Sequence, residues 1–325
     1  MSETSTPGWV WVLLVAAVFG VSSAGALFQH VAEVPPLLRA SWRLQLTSVV
    51  LLPLFLYQLV TIEAPVAKQY KERHTWVLLG AGGVALAAHF GAWVASLDRT
   101  TLTHSLLFVT AHPLVIVAGM FVFAGSGLVR KPNNNETLGA VICFVGAAIT
   151  LLDAGSSQGS QTATVFGDSL AFAGAVFVVG YIVVGRILRT WLPIFLYAFP
   201  VTLIGAVLLL PASALLESEF GDYGMFGWTN GEFFVWFLLL ALIAGLLGHT
   251  GLNTCLRYIS PLIVSVSVTL EPVLGSIIGW LFFDSGVPGR LTWLGGVVLI
   301  SGLVTVVVAG ERVSQREANN QKNTA

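Results

Sequence analysis

The stretch LIVSVSVTLEPVLGSIIGWLFF, residues 262–283, carries one carboxylate, Glu271, in an otherwise uncharged and largely apolar run, with Pro272 directly after it. About 20 mainly apolar residues in helical form cross the hydrocarbon core of a bilayer, because only there does every backbone N–H and C=O find a partner within the segment. Reading outward with the same window gives ten candidate spans. Those of the first half run from Trp9 to Gln29, Val34 to Val60, Thr75 to Leu97, Thr103 to Ala124 and Leu138 to Asp153. Those of the second run from Phe166 to Leu188, Trp191 to Pro211, Glu232 to Leu256, Leu262 to Phe283 and Leu291 to Gly310. The expected fold is all-α and integral to a membrane, with ten transmembrane helices. The fifth span sits near the lower limit of length.

Composition agrees. Of 325 residues, 56% are hydrophobic and 10% charged, against roughly 25% charged in a soluble domain. A net charge of -1 supplies no basic surface for nucleic acid. Cys143 and Cys255 lie in apolar runs without further ligands at metal spacing, so helix packing is expected and no metal or cofactor is implied. No Lys or Arg precedes the first apolar stretch, so that stretch is expected to stay in the mature chain rather than be cleaved as a signal.

Sliding one half over the other exposes a repeat. At an offset of about 158, Val49-Val50-Leu51-Leu52-Pro53 falls on Val207-Leu208-Leu209-Leu210-Pro211. At about 159, His112-Pro113 falls on Glu271-Pro272, and at about 156 Leu138-Gly139 and Gly146 fall on Leu294-Gly295 and Gly302. The expected organisation is a first five-helix repeat over 1–153, a polar Gly/Ser/Gln/Thr linker over 154–164, a second repeat over 165–311 and a polar tail over 312–325. Five is odd, so the second repeat enters the membrane inverted, an architecture of secondary transporters.

With a cytoplasmic N-terminus, Lys68, Lys71, Arg73, Arg130, Lys131, Arg186, Arg189, Arg257, Arg312, Arg316 and Lys322 fall inside and only Arg39, Arg99 and Arg290 outside. This is a positive-inside bias, placing both termini in the cytoplasm.

Ionisable residues at membrane depth are expensive and read first as functional. Glu271 lies ~13 Å deep at a rise of roughly 1.5 Å per residue. The repeat register sets His112 opposite it. Arg43 is too deep to reach the outer surface and needs a partner, for which Glu271 is the acid at matching depth, directly or through water. The plainer readings are a structural hydrogen bond for Glu271 beside a Pro272 kink, a structural role for His112 beside Pro113, and backbone carbonyls near Pro35 and Pro36 for Arg43. His89 and His249 fall at matching places in the third and eighth spans, with Trp93 and Asn253 one turn further on. These four are candidates to line a shared cavity. His104, near an outer helix end, is expected to be hydrated. Gly80, Gly82, Gly83, Gly245, Gly248 and Gly251 offer small surfaces for close helix approach.

Several motifs resemble the drug/metabolite transporter superfamily, in particular its EamA-like permeases. They are Pro36-Leu37-Leu38-Arg39-Ala40-Ser41-Trp42-Arg43 in the second span, Leu270-Glu271-Pro272-Val273 in the ninth, Phe282-Phe283-Asp284 after it, and Leu294-Gly295-Gly296 opening the last. In the first half, His112-Pro113 lacks the acid, and Ala124-Gly125-Ser126-Gly127 stands where the family has glutamate. The resemblance implies a central cavity lined by the third, fourth, eighth and ninth spans, flanked by the first, second, sixth and seventh.

The expected function is that of a secondary transporter or exporter of a small organic metabolite, working by alternating access and coupled to protons through Glu271 and the histidines. Its partners would be that solute and the lipid bilayer, in the plasma membrane rather than an organelle, with homodimer formation left open. A nucleotide-sugar or sugar-phosphate antiporter would need cations for phosphate, whereas the lysines sit in loops or tail and leave Arg43 as the deep cation. An intramembrane hydrolase would need a nucleophile with its base, and Gly155-Ser156-Ser157 has no histidine nearby. Ten spans in inverted repeats fit a receptor or channel-like signalling protein poorly.

Overall fold

A computed structural model describes residues 6–126, 129–154, 162–283 and 287–324. The linker residues 155–161, with Gly127 and Asp284 of the motifs above, lie outside the described residues. All regular structure among the described residues is helical. The spans are α1 (Gly8–Gln29), α2 (Pro36–Thr61), α3 (Arg73–Leu97), α4 (Leu102–Val109 with His112–Phe123), α5 (Asn134–Ala154), α6 (Val165–Arg189), α7 (Ile194–Leu216), α8 (Gly231–Cys255), α9 (Pro261–Val268 with Glu271–Phe282) and α10 (Arg290–Thr324). Among the described residues, nine helices are long and apolar enough to cross, and the bent pair of α9 makes a tenth span. Large apolar side chains such as Val12, Val60, Val122 and Val297 point outward and exposed, which suits a surface solvated by lipid. The chain is an integral, multi-pass membrane protein.

Local sequence explains the helix ends. The fifth span starts four residues before its apolar run because Asn133 and Glu136 form a reciprocal cap. The Glu136 N–H donates to Asn133 Oδ1 at 2.8 Å, and the Asn133 N–H to Glu136 Oε2 at 2.9 Å. Arg130 closes over the Glu136 carboxylate with both terminal nitrogens. Pro113 and Pro272 do more than kink their spans. Each sits in the first turn of a restarted helix, where the N–H that proline lacks would have no intrahelical partner. In α9 the two segments meet at 40°. α8 holds an unforeseen feature, a π-helical stretch over Leu240–Thr250, a form that is rare and frequent at functional sites. α10 continues as helix to Thr324, so the tail expected from 312 is a helical extension.

The packing pairs α5 with α10, α2 with α7, α3 with α6, and α1 with α8. Exchanging the halves leaves this pattern unchanged: α2–α7 and α5–α10 map onto themselves, and α3–α6 maps onto α8–α1. α5 and α10 run antiparallel, and so do α2 and α7. Along α5 and α10, a Cβ on Gly139 would lie 2.8 Å from the Gly302 carbonyl oxygen, and one on Gly146 would lie 2.8 Å from that of Gly295. The two backbones touch where side chains are missing, as helices in lipid associate by close packing rather than by hydrophobic drive. Gly82, Gly83, Gly245, Gly248 and Gly251 also abut neighbouring helices, whereas Gly80 faces open space.

α2 and α7 cap one another. Glu217, just beyond the end of α7, accepts the backbone N–H groups of Leu37 and Leu38 at 2.6 and 3.0 Å, covering the start of α2. Gln58, near the end of α2, accepts the Phe195 N–H at 2.8 Å at the start of α7. Replacing Glu217 by Ala strands two helix-start donors and is expected to destabilise the protein by about 1–2 kcal/mol, as a lost N-cap does. Thermal melting in detergent should show a lowered midpoint, largely restored by Gln; an unshifted Ala variant would show that the cap contributes nothing.

The environments of two charged residues go beyond what their positions suggest. Arg39, counted with the outer-side charges, is only 3% exposed. It pairs with Asp98 at 3.4 Å and lies 5.8 Å from the Phe28 ring centre, because α1 folds over it. His104 is not simply hydrated: its Nδ1 meets Asp168 Oδ2 at 3.0 Å, and Thr100 Oγ1 donates to Asp168 Oδ1 at 2.6 Å. The corner between α3 and α4 thereby holds the start of α6.

Candidate functional site

The helix breaks of α4 and α9 open onto one cavity between the halves, with a volume of about 60 Å³. All seven residues singled out from the sequence line it: Arg43, His89, Trp93, His112, His249, Asn253 and Glu271. Among the described residues the wall comes from α1, α2, α3, α4, α6, α8 and α9, with none from α5 or α10.

The restarted helices put His112 and Glu271 at corresponding places, each as first residue of its second segment. His112 Nδ1 and Ser265 Oγ share a hydrogen bond of 2.6 Å, tying α4 to α9. On α3, one turn separates His89 from Trp93, and their rings are nearly parallel, 6.2 Å apart. His89 Nδ1 donates to the Gly174 carbonyl at 2.9 Å, which fixes that ring against α6. Phe90 stands 5.3 Å from His249. Asn253 donates through Nδ2 to the His249 carbonyl at 2.7 Å and to the Tyr181 hydroxyl. Its Oδ1 is buried without a partner, as is Trp93 Nε1.

Arg43 and Glu271 face the same cavity but form no direct ion pair, so the direct form of the expected pairing is not made. The guanidinium instead lies over Phe90, 4.4 Å from the ring centre, and near Phe28 at 5.6 Å. Its Nε and Nη1 are buried without hydrogen-bond partners, which also sets aside the alternative of carbonyls near Pro35 and Pro36 for those atoms. Cation–π contact offsets part of the desolvation of a buried guanidinium.

Tyr181, Phe90 and Ser265 are the site residues that sequence reasoning passed over. Tyr181 is an isolated phenol in the middle of the apolar α6, a signal of the same kind as the histidines. Phe90 and Ser265 are ordinary residues of membrane helices, and only the fold brings them to the site.

Residues 165–308, from the start of α6 into α10, match the sequence model of the EamA-like transporter family. The second half of the chain is an EamA-like domain. The match takes in the Leu270-Glu271-Pro272-Val273 and Leu294-Gly295-Gly296 motifs noted in the sequence, while the second-span motif Pro36–Arg43 lies outside it. A solved crystal structure shares the fold of the chain, with a TM-score of 0.72 at 16% identity, covering 94% of this chain and 98% of the other. No curated protein matches the sequence.

Proposed function

We propose that the protein is a secondary transporter carrying a small organic solute across the membrane by alternating access. Residues 1–153 and 165–311 act as inverted repeats joined by a linker over 154–164, and Glu271 carries the coupling proton. One observation bears most of the weight: polar residues drawn from both halves converge on a single cavity at the two helix breaks. Discontinuous helices at matched positions are where repeat-built transporters bind their cargo. The antiparallel pairing of equivalent spans and the mutual caps of α2 and α7 support the twofold relation. The small cavity favours a solute far below nucleotide-sugar size. Both termini are read as cytoplasmic from the charge asymmetry of the loops, and the plasma membrane is proposed as the site of action.

The reading is of a carrier and not of an enzyme. Purified protein in liposomes enclosing a pH dye, presented with labelled metabolites, is expected to show saturable solute entry accompanied by a change in internal pH. Release of a cleaved product, or no saturable flux with any solute class, would overturn the reading.

A further inference from the structure

We infer that the solute carries a carboxylate and that Arg43 holds it, with the Trp93 indole N–H as second donor. The inference deepens the transport reading and rests on it for the meaning of the site. Arg43 is 1% exposed two turns into α2, and two of its guanidinium nitrogens have no partner. A buried cation without a hydrogen-bonded counter-ion is costly, and more so in a membrane. Its neighbour one turn away shows the contrast: Arg39 is answered by Asp98. Arg43 is left open toward a cavity. Trp93 Nε1, equally buried and unpartnered, borders that space. Three unpartnered donor nitrogens and a fixed positive charge on one small cavity match a carboxylate, for which guanidinium is the geometrically apt receptor. The start of the restarted α9 helix adds partial positive charge on the same space.

The rest of the wall defines the rest of the solute. Val21, Ala24, Val109, Val178, Leu252 and Val264 make it mostly apolar, and the unpaired Asn253 Oδ1 offers one acceptor. A volume of about 60 Å³ has room for a few waters. The fit is a small organic acid with a short apolar body.

Charge balance then links the acid to the proton. The ionisable groups around the cavity are Arg43 from α2, His89 from α3, His112 from α4, Tyr181 from α6, His249 from α8 and Glu271 from α9. Arg43 and ionised Glu271 together are neutral. An entering carboxylate adds one negative charge in a poorly solvated space, and one proton on Glu271 restores neutrality. A proton on a histidine would balance the charge as well, but by leaving two cations and two anions in the cavity where protonated Glu271 leaves one of each. Anion and proton therefore occupy the site together.

The test is calorimetric binding to the purified full chain, with isovalerate and phenylacetate set against their uncharged amides. The acids should bind more tightly than the amides, and more tightly as pH is lowered. Arg43→Gln should weaken acid binding by about 10–100-fold, to the level of the amides, as expected for a lost charge-assisted contact. Arg43→Lys should fall between. If Arg43→Gln does not fold, Trp93→Phe decides, since it keeps a ring and removes the N–H; about tenfold weaker acid binding is expected. Equal binding of acids and amides, or an acid preference that survives Arg43→Gln, overturns the inference. Acid preference without solute-driven proton movement in liposomes would keep the site and sink the transport reading. Saturable flux of neutral solutes with no acid preference would do the reverse.

Discussion

Replacing Glu271 by Gln is expected to leave a folded protein that still exchanges solute across liposome membranes but no longer concentrates it against a gradient when a pH difference is imposed. Gln keeps the length and hydrogen-bonding shape of the side chain and removes its proton. With one proton carried per solute, a one-unit pH step supports roughly tenfold accumulation, the equivalent of about 1.4 kcal/mol; the variant should accumulate none. Exchange of labelled for unlabelled solute, which needs no net proton movement, should persist. The competing reading makes Glu271 a structural residue at the helix restart beside Pro272. On that reading the variant would lose thermal stability and exchange in the same proportion, and any remaining flux would still follow the pH gradient.

At the seam of α5 and α10, Gly146→Ala is expected to destabilise the protein by about 3 kcal/mol, the upper end of what overpacking typically costs. The added Cβ would lie 2.5 Å from the Leu299 amide nitrogen and 2.8 Å from the Gly295 carbonyl oxygen. Both are backbone atoms of a helix, so no side chain can rotate away and the two helices must separate. Gly80→Ala on α3 is the control, because nothing lies within 4 Å of its added Cβ. Melting in detergent should place Gly80→Ala at or slightly above the parent and Gly146→Ala well below it. Coincident melting of the two variants would mean that the seam yields more easily than its geometry says.

Much of the site was legible in the sequence because polar side chains stand out against apolar runs. Glu271, Arg43 and the histidines at 89, 112 and 249 are conspicuous for that reason, and all reach one cavity. Hydropathy carries no information about the number of residues per turn, so it registers neither the π-helical stretch of α8 nor the full breaks in α4 and α9. Proline within an apolar run signals an interruption; whether the helix bends or restarts depends on what the freed backbone groups meet. Arg39 entered only as one charge in the count of loop cations, because its partners, Phe28 of α1 and Asp98, lie elsewhere in the chain. His104 and Asp168 lie 64 positions apart and meet only because α6 begins against the corner of α3 and α4. The early start of α5 was hidden by the polar run at 133–136, whose side chains cap the helix instead of continuing its apolar face.

The seam between α5 and α10 and the wall of the cavity share no residue. Changes of cargo can therefore accumulate in descendants of this chain, one lining side chain at a time, while the glycines of the seam stay as they are. In a lineage built this way, selectivity would diverge quickly across a scaffold that hardly drifts.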